Sequence, residues 1–94
     1  MKILNIGFSN IVMLSRIISI IHSESAGGKR LKQEAKTAGK LVDATMGRKN
    51  RSIILMDSGH VVLSSLRLES IYKRIESEDN TFASEEEEVR DSGE

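Results

Sequence analysis

Apolar positions in this chain come in short β-branched runs, with helical spacing in only two places. Residues 2–6 read as a first strand, ended by Gly7-Phe8-Ser9-Asn10, whose glycine and asparagine favour a turn. Residues 11–14 and 17–21 continue in extended form, with Ser15-Arg16 between them as a turn or a bulge and Arg16 projecting from a sheet end. Ser23 or Ser25 can cap the next element. Gly27-Gly28 weakens its first turn by roughly 1 kcal/mol per glycine relative to alanine, so the helix is expected to become firm near Lys29. Leu31, Ala35 and Ala38 recur at helical spacing, Lys29, Arg30, Lys32, Gln33 and Lys36 face away, and Gly39 stops the helix. Residues 41–45, 51–56 and 60–64 are three further strands, the last two forming a hairpin across a two-residue Ser58-Gly59 loop. Residues 53–56 are apolar on both faces, which fits a central strand or one covered by another subunit. A second helix over 66–75 carries Leu68, Ile71, Tyr72 and Ile75 on one stripe.

From residue 77 onward only Phe82, Ala83 and Val89 are apolar, too few to offset the entropy of ordering, and the segment reads as disordered. Its charge changes the picture of the whole chain. Residues 1–76 hold 13 Lys and Arg against six acidic residues, a net +7, while 77–94 hold Arg90 against eight acidic residues, a net −7. The formal charge of zero therefore averages a basic domain over 1–76 with an acidic tail over 77–94, a division that suggests a polyanion-binding body. About 75 residues can bury only about 60% of their unfolded surface, so association is an expected source of further stability. That need favours a subunit interface for the apolar 53–56 strand. With no cysteine and two histidines, neither a disulfide framework nor a zinc site is expected, and no cofactor. Arg16 and several polar residues interrupt the N-terminal apolar stretch, so neither a signal peptide nor a membrane span is expected. The chain reads as soluble and cytoplasmic.

The candidate chemistry lies in Gly47-Arg48-Lys49-Asn50-Arg51, which places three cations and two turn-favouring residues between two strands. A connection of this kind holds cations out at the edge of a sheet, where each can meet a phosphate. The helix face of Lys29, Arg30, Lys32, Lys36 and Lys40 is a rival, but it is mostly lysine and reads as a solvated surface. Asp57, Ser58 and His60 are explained by a tight turn and not by catalysis. With only Phe8, Tyr72 and Phe82 aromatic, no stacking platform for single strands exists, and duplex DNA is favoured.

Several blocks together carry a resemblance. They are residues 5–12, Glu24-Ser25-Ala26, Lys29-Arg30, Asp43-Ala44-Thr45-Met46-Gly47-Arg48-Lys49 and residues 56–64. In this order they resemble the RemA family, bacterial regulators of extracellular-matrix and biofilm genes, over roughly residues 2–75. The resemblance implies an α+β subunit with a small, mostly antiparallel sheet, one central and one C-terminal helix, and a topology similar to the LytTR DNA-binding domain. It further implies a homo-oligomeric ring that binds double-stranded DNA and regulates transcription, with no catalytic activity. By the same resemblance the DNA-contacting arginines correspond to Arg16 and Arg48, Lys49 stands where a second arginine is usual, and Arg51 matches by proximity. Two departures are Ser9 in place of a glycine and Gly27-Gly28 in place of a stiffer pair. The alternative function is a non-catalytic oligomeric scaffold binding another polyanion or an acidic protein partner.

Overall fold

The computed structural model describes residues 2–77, and the acidic tail over 77–94, expected to be disordered, lies outside them apart from Ser77. The chain runs β1 (Ile3–Gly7), β2 (Asn10–Met13), a 3-10 turn (Leu14–Arg16), β3 (Ile17–His22), α1 (Ala26–Ala38), β4 (Leu41–Asp43), β5 (Ser52–Met56), β6 (Val61–Ser64) and α2 (Leu68–Glu76). β1 and β2 form their own antiparallel sheet, while the other strands make a four-stranded sheet in the order β3-β5-β6-β4. Among the described strands only β4 and β6 pair in parallel. The fold is therefore α+β with two helices and mostly antiparallel pairing, built on two sheets where the family resemblance implied one.

A tight turn joins β1 to β2. Phe8 and Ser9 both adopt left-handed conformations, with φ of 52° and 64°, as a type I′ hairpin turn requires. Neither is glycine. Asn10 Nδ2 donates to the Gly7 carbonyl at 2.9 Å, and Asn5 Oδ1 accepts from the Gly7 amide at 2.8 Å, so side chains over-determine the turn. Ser9→Gly should relieve the left-handed penalty by more than it adds to unfolded-chain entropy, raising stability by about 0.5–1 kcal/mol in chemical denaturation.

β5 is the centre of the molecule. Ile53 faces Ala35 of α1 together with Val61 and Leu63, whereas Ile54 faces Leu4, Ile6, Leu66 and Ile71 on the side of β1 and α2. Both isoleucines are 0% exposed within a single chain. This corrects the expectation of a subunit interface for residues 53–56, because α1 and the first sheet with α2 already cover both faces.

Ser25 is the cap of α1, its Oγ accepting from the Gly28 amide at 2.9 Å and donating to the His22 carbonyl at 2.8 Å. The helix consequently begins at Ala26 and not near Lys29. It ends as expected at Gly39, left-handed with φ 72°, where the Lys40 amide returns to the Ala35 carbonyl at 2.8 Å. The β5–β6 loop is one residue longer than expected. A hydrogen bond from the Met56 amide to the His60 carbonyl closes a three-residue Asp57-Ser58-Gly59 loop, with Gly59 at φ 89°. α2 also differs from its expected stripe. Tyr72 points out and is 61% exposed, while Arg74 is buried and its Nη1 donates to the Asn5 carbonyl at 3.2 Å. Leu66, expected inside the helix, is buried in the turn before it.

Candidate nucleic-acid interface

The basic connection crosses the end of β6, from the edge strand β4 to the central β5. Its cations therefore lie at the end of the sheet and not along its lateral edge. Asp43 Oδ1 accepts from both the Thr45 amide at 2.9 Å and Thr45 Oγ1 at 2.6 Å, an Asx turn that starts the loop. Ala44 and Thr45 are buried beneath it. Met46 and Gly47 then turn left-handed, with φ of 53° and 79°, and the Arg48 amide returns to the Thr45 carbonyl at 2.9 Å. At the far end Ser23 holds the chain from both of its polar groups. Its Oγ donates to the Asn50 carbonyl at 2.9 Å and its amide to the Arg51 carbonyl at 3.2 Å, while the Arg51 amide donates to the Ser64 carbonyl at 2.9 Å. Arg48 and Lys49 are thus exposed at the apex of a loop anchored on both flanks. Anchoring reduces the entropy lost when a ligand orders the loop.

Arg48 also lies over the ring of Phe8, its Cζ 6.0 Å from the ring centroid, at the outer reach of a cation–π contact. The β1–β2 turn thereby joins the site. Composition marked Phe8 as one of three aromatics, but no spacing rule connected it to residue 48.

Arg16 sits elsewhere. β3 and β5 pair Ile17 with Met56 and His22 with Ser52, so Arg16 lies at one end of β5 and Arg51 at the other. Within the chain Arg48, Lys49 and Arg51 come together, and Arg16 stands apart by the length of β5, roughly 3.3 Å per residue. Arg16 Nη1 meets Asp57 Oδ2 at 3.2 Å, with side chains 66% and 44% exposed, and the Asp57 amide donates to the Arg16 carbonyl at 2.8 Å. An ion pair this exposed contributes about 0–1 kcal/mol, which a phosphate can readily outcompete. At the same end Ser58 Oγ and His60 Nδ1 share a 2.7 Å hydrogen bond, which the sequence reading did not foresee. Asp57 is turned to Arg16 and not to His60, so these three do not form a relay. The rival cations Lys29, Arg30, Lys32, Lys36 and Lys40 are exposed, and Lys40 Nζ donates to the Ser58 carbonyl at 3.2 Å.

The two hydrogen bonds from Thr45, side chain first and backbone second, hold the Asp43 carboxyl below its usual value of 3.8. Because the folded pKa is depressed, the stabilisation is complete above the unfolded pKa and fades as pH falls through the folded one. Asp43→Asn keeps the acceptor oxygen without the titration, whereas Asp43→Ala removes the anchor. Thermal melts from pH 2 to pH 6 should show the Asn variant losing less of its melting temperature in acid than the wild type. The Ala variant should melt lowest at pH 6.

The chain belongs to the family described as extracellular matrix regulatory protein A-like, or RemA-like, whose model matches residues 3–75. It is 51% identical over 89 residues to a relative from Leptospira biflexa, covering 95% of each chain. A relative from Thermodesulfovibrio yellowstonii is 56% identical over 73 residues, 78% of this chain and 86% of its own. One from Geobacillus kaustophilus is 49% identical over 80 residues, 85% of this chain and 92% of its own. All three are named as candidate regulatory proteins, in keeping with the family's description. Among the described residues, no helix is long and apolar enough to cross a membrane.

Proposed function

We propose that this protein is a DNA-binding transcription regulator of extracellular-matrix and biofilm genes, acting in the cytoplasm without catalysis. It binds duplex DNA through Arg48, Lys49 and Arg51, with Arg16 as a further contact, and repeats this loop around a homo-oligomeric ring of LytTR-like subunits. The observation that carries the reading is the anchored loop, which displays adjacent exposed cations on a fixed backbone. Single cations near phosphate contribute only a modest, salt-sensitive affinity, so repetition supplies the strength.

The sheet edges support assembly. β3 and β4 are the outer strands of the four-stranded sheet, and exposed apolar residues accompany each. Ile18 on β3 is 62% exposed, while Val42 on β4 and Met46 just beyond it are 44% and 70% exposed. Two unlike surfaces joined head to tail give a heterologous interface, which closes into a ring when its rotation permits.

Titration of wild type and Arg48→Ala against duplex DNA at two salt concentrations tests the reading, alongside mass in solution. Wild type should bind, weaken steeply with salt and run as a multiple of the 10.4 kDa chain. Arg48→Ala should bind at least about tenfold more weakly at the lower salt. Equal binding by both proteins would remove this loop from the interface, and a preference for an acidic protein over DNA would favour the scaffold alternative.

A further inference from the structure

Beside the basic loop lies a groove of about 260 Å³ that no sequence motif marks. Lys49, Asn50 and Arg51 of the loop line it together with residues 22–24 at the end of β3 and residues 67–69 at the start of α2. We infer that this groove seats a backbone phosphate of duplex DNA, with Arg67 joining Lys49 and Arg51 as a binding residue and Glu69 weakening the site. The inference rests on the DNA reading above and adds to it a second segment of the chain.

Three observations carry it. First, Arg67 is fixed relative to Arg51 by the fold's buried serines. Ser52 Oγ donates to the Leu66 carbonyl at 2.6 Å, and Ser64 Oγ accepts from the Leu66 amide at 3.1 Å while donating to the Ile6 carbonyl at 2.7 Å. Ser52, Ser64 and Leu66 are all 0% exposed, so the start of β5 and the residue preceding Arg67 form one rigid unit. The two arginines thus line one groove on a shared buried frame.

Second, Arg67 breaks two local rules where it stands. It occupies the N-cap of α2 with no side-chain cap bond, at φ −74° and ψ 158°, where Ser, Thr, Asp or Asn would supply an acceptor. It also places a cation at the positive end of the helix dipole. A cation kept against both preferences beside Lys49 and Arg51 adds positive charge to one groove, which fits a functional demand for anion binding.

Third, the groove's two acidic residues, Glu24 and Glu69, differ in their partners. Glu24 reaches toward Lys29, with 3.9 Å between Oε1 and Nζ, and its amide donates to His22 Nδ1 at 3.0 Å. Glu69 lies in the first turn of α2 and lines the groove with Arg67. Neutralising Glu69 removes a like charge facing the phosphate.

The test uses full-length Arg67→Ser and Glu69→Gln, with Arg48→Ala as reference, in duplex DNA titrations over a range of salt. Serine restores a cap acceptor, so Arg67→Ser should remain folded by thermal melt. Its affinity should fall about tenfold at low salt, alike across DNA sequences, and its log-affinity against log-salt slope should flatten by about 0.9 for each groove engaged. Glu69→Gln should bind more tightly than wild type. If Arg48→Ala loses affinity while Arg67→Ser and Glu69→Gln both match wild type, the groove is not a phosphate seat and the DNA reading stands. If wild type itself does not bind duplex DNA, both fail together.

Discussion

Gly28→Ala should destabilise the protein by about 3 kcal/mol, whereas Gly27→Ala, one residue earlier, should leave it unchanged or stabilise it by up to about 1 kcal/mol. A methyl group at position 28 would stand 2.5 Å from the His22 carbonyl oxygen, 3.0 Å from Ser25 Oγ and 3.2 Å from Ile53 Cδ1. The first is main chain at the end of β3, the second is the cap of α1, and the third belongs to Ile53, fully buried on the central strand. None can withdraw cheaply, so α1 must lift from the sheet and its cap must loosen. At position 27 a methyl group meets nothing within 4 Å and gains only the helix preference of alanine. Denaturant midpoints of the two variants read this directly. A loss of 3 kcal/mol is a large share of the total for a domain this small.

Charge reversal at Arg48 should produce the largest functional effect. Arg48 is exposed and its main-chain hydrogen bond does not depend on its side chain, so Arg48→Glu should keep the wild-type circular dichroism spectrum. Duplex binding should nevertheless fall by at least about a hundredfold. A charge-assisted hydrogen bond contributes about 1.5–3 kcal/mol, and an assembly engaging DNA through two or more subunits loses it at each. The introduced carboxylate also repels the phosphate. Phe8→Ala should act in the same direction but more weakly, because it removes only the ring beneath Arg48.

Much of this site was legible in the residues themselves. The basic loop, its two flanking strands and the separation of Arg16 from it in sequence follow from apolar runs broken by Gly47 and Asn50. What the pattern could not supply was partnership between distant segments. The placement of β6 between β4 and β5 is a long-range choice, and it moves the loop from the side of the sheet to its end. The covering of Ile53 by Ala35 and of Ile54 by Leu4 is likewise invisible to a period-2 reading, which registers only that both faces are apolar. The two glycines looked alike because propensity scores the backbone and not the carbonyl oxygen waiting beside Gly28. Arg74 and Arg67 were missed for a related reason. A charged residue is ordinarily assigned to solvent, yet one is buried against β1 and the other lines a groove.

The central claim is that a cationic loop, repeated by assembly, binds duplex DNA. Its most direct test is the affinity of the wild-type protein for a duplex at salt concentrations between 50 and 300 mM. Each phosphate contact contributes a slope of roughly −0.9 in log affinity against log salt, so the five cations proposed for one subunit, Arg67 included, could give at most about −4.5. The account predicts a steeper slope, from loops on several subunits acting together. Absence of duplex binding at 50 mM salt, or a slope shallower than that of one subunit, would contradict it.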